Sequence, residues 1–168
     1  MSSQNSPAPT SEVGGHQLLE SMTDVAENSL FAMVDVAEDA TWRAAAESEE
    51  GAMLLAHVGF SGPFSGAIDV LLPAALAQEL GAAFLGAESP EEVSPANAAD
   101  FAGEFANMTC GAWLTRTHPK DAFSLSAPQV AVSPADEPAG AGSTALFLLV
   151  NDRPVRARLS LASGQDAR

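Results

Sequence analysis

The run Asp100-Phe101-Ala102-Gly103-Glu104-Phe105-Ala106-Asn107-Met108-Thr109-Cys110-Gly111 carries two interleaved stripes at helical spacing. Phe101, Phe105, Met108 and Ala112 recur at i, i+4, i+7 and i+11, which makes one apolar line for a core. Asp100, Glu104, Asn107 and Gly111 repeat the same spacing beside it. Glu104 and Asn107 are three residues apart, so they project from one face as neighbours. Gly111 costs about 1 kcal/mol relative to Ala in a helix interior, and close approach of another backbone or a partner is one candidate reason. Asn107 is a mediocre helix former with both donor and acceptor capacity. Spacing alone favours an ordinary polar helix face, because Glu-x-x-Asn by itself is a weak signal.

Working outward, Ser94-Pro95 supplies an N-cap and a first-position proline for this helix, which should reach about Arg116. An acidic loop over 88–93 precedes it. Before that, a helix runs through Leu76, Leu80 and Phe84, with Pro73 at its first position and Gly86 at its end. Residues 53–60 and 66–72 read as strands, with Ile68, Val70 and Leu72 facing one way and Ser61-Gly62-Pro63-Phe64 as the hairpin link. A first helix starts at His16 and carries Leu19, Met22, Ala26, Leu30 and Met33, with a strand beginning at 34–36 and a turn at 47–51. Downstream, 123–132, 144–150 and 155–161 read as strands. They are joined by a Pro/Gly/Ala loop over 133–143 and the Asn151-Asp152-Arg153-Pro154 turn, where Asp152 beside Arg153 reads as solvated. The order of helix, hairpin, two helices and three strands predicts an α+β fold with helices packed on a mostly antiparallel sheet.

The chain has 168 residues and is 46% hydrophobic, enough for one domain with its own core. The expected division is a disordered tail over 1–15, a domain over 16–162 and a short tail over 163–168. Lys plus Arg is 7 against 22 Asp plus Glu, a net charge of −15. That balance argues against nucleic acid and against an anionic membrane surface, both of which attract basic side chains. The N-terminus lacks a charged and apolar leader pattern, and no run of apolar residues is long enough for a span, so the expected location is cytoplasmic. His16, His57 and His118 are far apart and Cys110 is the one cysteine, so no zinc spacing appears. There is no phosphate loop and no Gly-x-Ser-x-Gly elbow. Cys110 reads as packing, His118 as a cap at the helix C-terminus, and Trp42 as either a contact or an edge of the core.

The wider run Asp100-x-x-Gly103-Glu104-x-x-Asn107-Met108-x-x-Gly111 resembles the signature helix of the CheC/CheX/FliY family of chemotaxis phosphatases, and its CheX-like members in particular. His57-Val58-Gly59-Phe60-Ser61-Gly62 through Gly66-Ala67-Ile68-Asp69-Val70 is similar to the family's hairpin. Leu125-Ser126-Ala127-Pro128-Gln129-Val130 and residues 146–161 are similar to its closing strands, so the resemblance spans about 17–161. It implies hydrolysis of the aspartyl phosphate on a CheY-like response-regulator receiver domain, in chemotaxis or a related two-component circuit. The implied roles are water positioning for Asn107 and pairing with the receiver's active-site lysine for Glu104. Partner contact is implied for Asp100, Phe105, Met108 and Gly111. The chain would need no cofactor of its own, because the receiver supplies Mg2+; a homodimer is also implied. Some members carry a second Glu-x-x-Asn on the first helix, but here Thr23 stands three after Glu20 and Asn28 three after Val25, so one motif is counted. The rival reading is a non-catalytic module of the same fold that binds a signalling partner, and a chance match of an unrelated small domain is the third.

Receiver domains are commonly acidic, and a partner at −15 would be repelled at long range. Association with such a receiver is therefore expected to quicken as salt rises, which stopped-flow binding at increasing ionic strength measures. Strong slowing with salt would contradict this electrostatic picture.

Overall fold

The computed structural model describes residues 7–134 and 142–162. In chain order the elements are α1 (Ser11–Asp24), extended by a π-helical turn (Val25–Ser29), β1 (Val34–Val36) and α2 (Asp39–Glu47). There follow β2 (Met53–Ser61), β3 (Gly66–Pro73), α3 (Ala74–Leu85), a 3-10 turn (Pro90–Glu92) and α4 (Pro95–Thr117). The chain closes with β4 (Ser124–Leu125), β5 (Gln129–Val132), β6 (Ser143–Val150) and β7 (Arg153–Leu161). The strands form one seven-stranded sheet in the order β1-β6-β7-β3-β2-β4, with β5 also on β2. Each of these pairings is antiparallel. The α+β expectation holds.

The sheet is two-sided because its strands alternate with period two. Leu54, Ala56 and Val58 on β2 face Leu72, Val70 and Ile68 on β3 in register. Together with Val155, Ala157 and Leu159 of β7, they form the floor on which α1, α3 and α4 lie. On the opposite face α2 lays Trp42 and Ala46 over Met53, Leu71 and Phe147. The Trp42 ring tilts against Phe147 at 5.2 Å, and the Arg156 guanidinium sits 5.9 Å over the same ring. Trp42 is thus the centre of a second, smaller core.

Several boundaries differ from the expectation, each for a local reason. The first helix begins at Ser11, not His16, with Thr10 Oγ1 accepting from the Val13 N–H at 3.4 Å. Its Gly14 and Gly15 look like tail residues in sequence. Here they are buried, because a Cβ on Gly14 would lie 3.1 Å from Leu159 and one on Gly15 2.9 Å from Thr144. Residues 1–6 and 163–168, the remainder of the expected tails, lie outside the described residues, as does most of the 133–143 loop. The helix closes at Leu30, and Phe31 then turns the chain with φ 54°. Met33 therefore faces solvent instead of the core, its N–H bonded to Asn151 Oδ1 at 2.9 Å. Pro73 precedes the first turn of α3 as its cap rather than standing inside it.

The expected strand over 123–132 is interrupted. Between the pairs Phe60↔Leu125 and His57↔Gln129, β2 advances three residues while its partner advances four. That extra residue is a β-bulge, which bends its strand and disrupts the ladder locally. Ser126 fills the gap: its N–H donates to the Gly59 carbonyl and its Oγ accepts from the Gly59 N–H, both at 2.8 Å. At the β6–β7 turn, Asn151 and Asp152 both take left-handed φ (49° and 63°), the backbone that a two-residue hairpin with native twist requires. Asp152 is exposed, but Arg153 is not simply solvated, since it forks onto Glu49 with two bonds of 2.6 Å. Among the described residues, no helix is long and apolar enough to cross a membrane.

Candidate functional site

α4 is set by its ends and by three walls. Ser94 Oγ accepts from the Asn97 N–H at 3.1 Å, and Pro95 opens the first turn. Below lies the sheet. On one flank α3 packs alongside, with Gly81 facing Phe101, where an added Cβ would lie at 3.4 Å, an ordinary packing distance. Phe84 of α3 tilts on Phe101 at 5.6 Å, and Phe101 stacks on Phe105 at 6.2 Å. On the other flank Trp113 Nε1 donates to the Gly14 carbonyl of α1 at 3.1 Å. Arg116 holds the same flank through Glu20 and Asp24.

Three-sided burial explains Cys110, which the helical period turns away from the Phe101 line but which is fully buried. Desolvation pushes its thiol up to about 12, so it stays a neutral, inert filler. His118 ends the helix, its N–H bonded to the Leu114 carbonyl at 2.8 Å. Its ring bridges Thr117 Oγ1 at 2.9 Å and the Pro7 carbonyl at 3.1 Å, and it packs edge-on against Phe64. That is a cap and a tether for the N-terminal segment.

A narrow outward strip remains. Asp100 is exposed, and Glu104, Asn107, Met108 and Gly111 are partly exposed. The side chains of Glu104 and Asn107 make no hydrogen bond to another described residue. A half-buried amide with no internal partner must be satisfied from outside the chain. The strip therefore brings together Asp100, Glu104, Asn107, Met108 and Gly111, as the spacing predicted. It does not include Phe105. That ring is fully buried under Phe101, so it supports the strip from beneath and offers no surface to a partner.

The two glycines that flank the strip have different causes. A Cβ on Gly103 would meet the Pro128 ring at 2.9 Å and Val130 at 3.3 Å, where the bulged strand crosses the helix. Gly103 is thus the close-approach glycine, one residue before Glu104. At Gly111 no described residue lies within 4 Å of an added Cβ, so no close approach among the described residues explains that glycine.

The strip is bracketed by clefts. One, of about 250 Å³, is lined by Phe84, Leu85, Asn97, Asp100, Phe101 and Glu104. The other, of about 330 Å³, lies beyond Gly111, between Leu114, Thr115 and His118 on the helix side and Phe123 and Leu125 opposite. Phe84 and Leu85 are site-lining residues that the sequence does not single out. Their one signal was position, two large apolar side chains directly before the helix-ending Gly86. No group of three or more His, Cys, Asp or Glu side chains able to hold a cation occurs among the described residues.

Comparison with known proteins places this geometry. The family described as Chemotaxis phosphatase CheX matches residues 54–137, half of the 168-residue chain. No curated protein matches the sequence. Among solved structures, the chemotaxis protein CheX from Vibrio vulnificus superposes with a TM-score of 0.70 at 14% identity, covering 92% of this chain and 100% of its own. CheX in the CheX–CheY–BeF3–Mg2+ complex from Borrelia burgdorferi gives 0.61 at 15%, covering 88% and 97%. The chemotaxis protein CheX from Desulfovibrio desulfuricans gives 0.62 at 16%, covering 89% and 99%. At such identities these likenesses show the fold.

The glycine contrast is measurable by urea denaturation. Gly103→Ala is expected to lower stability by about 1–3 kcal/mol, because the rigid Pro128 ring must move. Gly111→Ala is expected to raise it by about 0.5–1 kcal/mol, the helix-propensity gain at an open site. Loss of stability in Gly111→Ala would contradict the open strip.

Proposed function

The chain belongs to the CheX family of chemotaxis phosphatases, and from that premise we propose that it hastens hydrolysis of the aspartyl phosphate on a CheY-like receiver domain. The observation that carries the reading is the Glu104–Asn107 pair, three residues apart on the exposed strip of α4, with no side-chain hydrogen-bond partner among the described residues. The solved complex of a CheX with CheY, BeF3 and Mg2+ from Borrelia burgdorferi supports the choice of partner.

The chemistry asks little of the helper. An acyl phosphate is already activated, so acceleration comes from holding a water in line with the phosphorus. The Asn107 amide oxygen accepts a hydrogen bond from that water. Being neutral, it does so without repelling the phosphoryl oxygens, as a carboxylate would. Glu104 takes the receiver's active-site lysine in a charge-assisted bond and so fixes the register. Mg2+ held by the receiver supplies neutralisation of the developing charge. Asp100, Met108 and Gly111 provide the contact surface around the pair.

A homodimer is part of the proposal. Its support is β1, which lies at one end of the sheet and has Phe31, Met33 and Val36 exposed around it. Sedimentation of the full chain tests it, and a monomer at micromolar concentration would contradict it.

The activity is tested by following the decay of phosphorylated receivers from the same genome. Wild-type protein should accelerate decay, and Asn107→Ala should lose about 100-fold in kcat with its circular dichroism unchanged. Glu104→Ala should raise KM about tenfold, the loss of a charge-assisted bond. Binding without acceleration would replace the phosphatase by a non-catalytic module. Acceleration that survives Asn107→Ala would contradict the assigned mechanism.

A further inference from the structure

We propose that the cleft between the end of α3 and the first half of α4 seats an apolar side chain of the receiver, next to the lysine that Glu104 takes. The inference rests on the phosphatase reading and adds the contact that selects the partner. The cleft floor is Phe84, Leu85 and Phe101, and its rim is Asn97, Asp100 and Glu104. Glu104 belongs to both the cleft and the strip, so an occupant of one is within reach of the other.

Phe84 and Leu85 are 45% and 58% exposed, at the last turn of a helix whose other large apolar side chains are buried. Neither is loose. Phe84 is clamped on Phe101, and α3 is stopped immediately afterwards by Gly86 in the left-handed conformation. With Phe84 held on Phe101, the exposed pair gives an incoming side chain an apolar floor directly beside Glu104.

Charge decides the occupant. Two of the six lining residues are carboxylates and none is basic, and the turn leading into α4 adds exposed Glu91 and Glu92. An apolar floor under a carboxylate rim complements an apolar side chain with a cation alongside, and the lysine that Glu104 takes in the proposed docking is that cation. A second copy of this chain docked here about a two-fold axis would set these carboxylates against themselves. An anionic membrane or nucleic acid is repelled for the same reason. The cleft also answers the steering problem, since apolar burial is insensitive to the repulsion between two acidic proteins at long range.

The test uses the full chain with CheY-like receivers from the same genome, charged with beryllofluoride and Mg2+ for binding and phosphorylated for turnover. Leu85→Ser adds no charge, and its half-exposed position should leave the melting curve close to wild type. It should raise Kd and KM about tenfold, with the loss in KM rather than kcat, and Leu85→Met should restore both. Unchanged Kd in Leu85→Ser, with turnover abolished by Asn107→Ala, overturns the cleft and leaves the phosphatase standing. Weakened binding in Leu85→Ser, with Asn107→Ala still active, supports the cleft and overturns the assigned mechanism. Receivers that neither bind nor lose phosphate faster overturn both.

Discussion

Burial of α4 on three sides is the constraint from which the rest follows. Phe101 locks it to α3 through Phe84, Trp113 and Arg116 lock it to α1, and the sheet closes it from below. A helix so enclosed shows solvent along one narrow strip. Asp100, Glu104, Asn107, Met108 and Gly111 occupy it. Truncating Phe105, with no exposure of its own, would remove about 3–5 kcal/mol of packing from directly beneath the pair. The bulge after β4 adds the last restraint, pressing Pro128 onto Gly103 so that the helix cannot roll in its bed.

This constraint makes the division of labour chemically reasonable. Asn107 and Glu104 stand on a rigid element, where their directions are set by the helix and not by a loop. Neither side chain has a hydrogen-bond partner among the described residues, so in the proposed docking a receiver would meet groups already available for bonding. At a net charge of −15, the chain has little to offer a phosphate by Coulomb attraction. On the proposed reading its contribution is geometry: an amide for the water, a carboxylate for the lysine, and a cleft at each end of the strip.

Much of the site was legible because α4 is long, capped by Ser94-Pro95 and periodic. Period alone places Glu104 beside Asn107. It does not say which flanks are covered, and so Phe105 reads equally well as core or contact until its full burial is seen. Phe84 and Leu85 fall in the same blind spot, since exposure at a helix end depends on where the neighbouring element stops. In the fold, β2, β3 and the order of helices were legible from alternation and turn residues. α2 was not, because only Trp42 and Ala46 bury, too few to form a stripe, and they do so on the opposite face of the sheet. Gly14 and Gly15 concealed the start of α1, as glycines needed for close packing look the same in sequence as glycines of a tail. The bulge was invisible because a single extra residue leaves no mark in alternation over so short a segment.

The central claim is that the Asn107 amide faces the receiver's phosphoryl group. Its side-chain amide proton signals, assigned by their absence in Asn107→Ala, report this directly in a nitrogen-15 spectrum of the full chain. Addition of a receiver charged with beryllofluoride and Mg2+ should shift or broaden them, while the same receiver without beryllofluoride should leave them nearly unmoved. Signals that stay in place while residues elsewhere on the surface respond would put the docking site away from α4 and contradict the account.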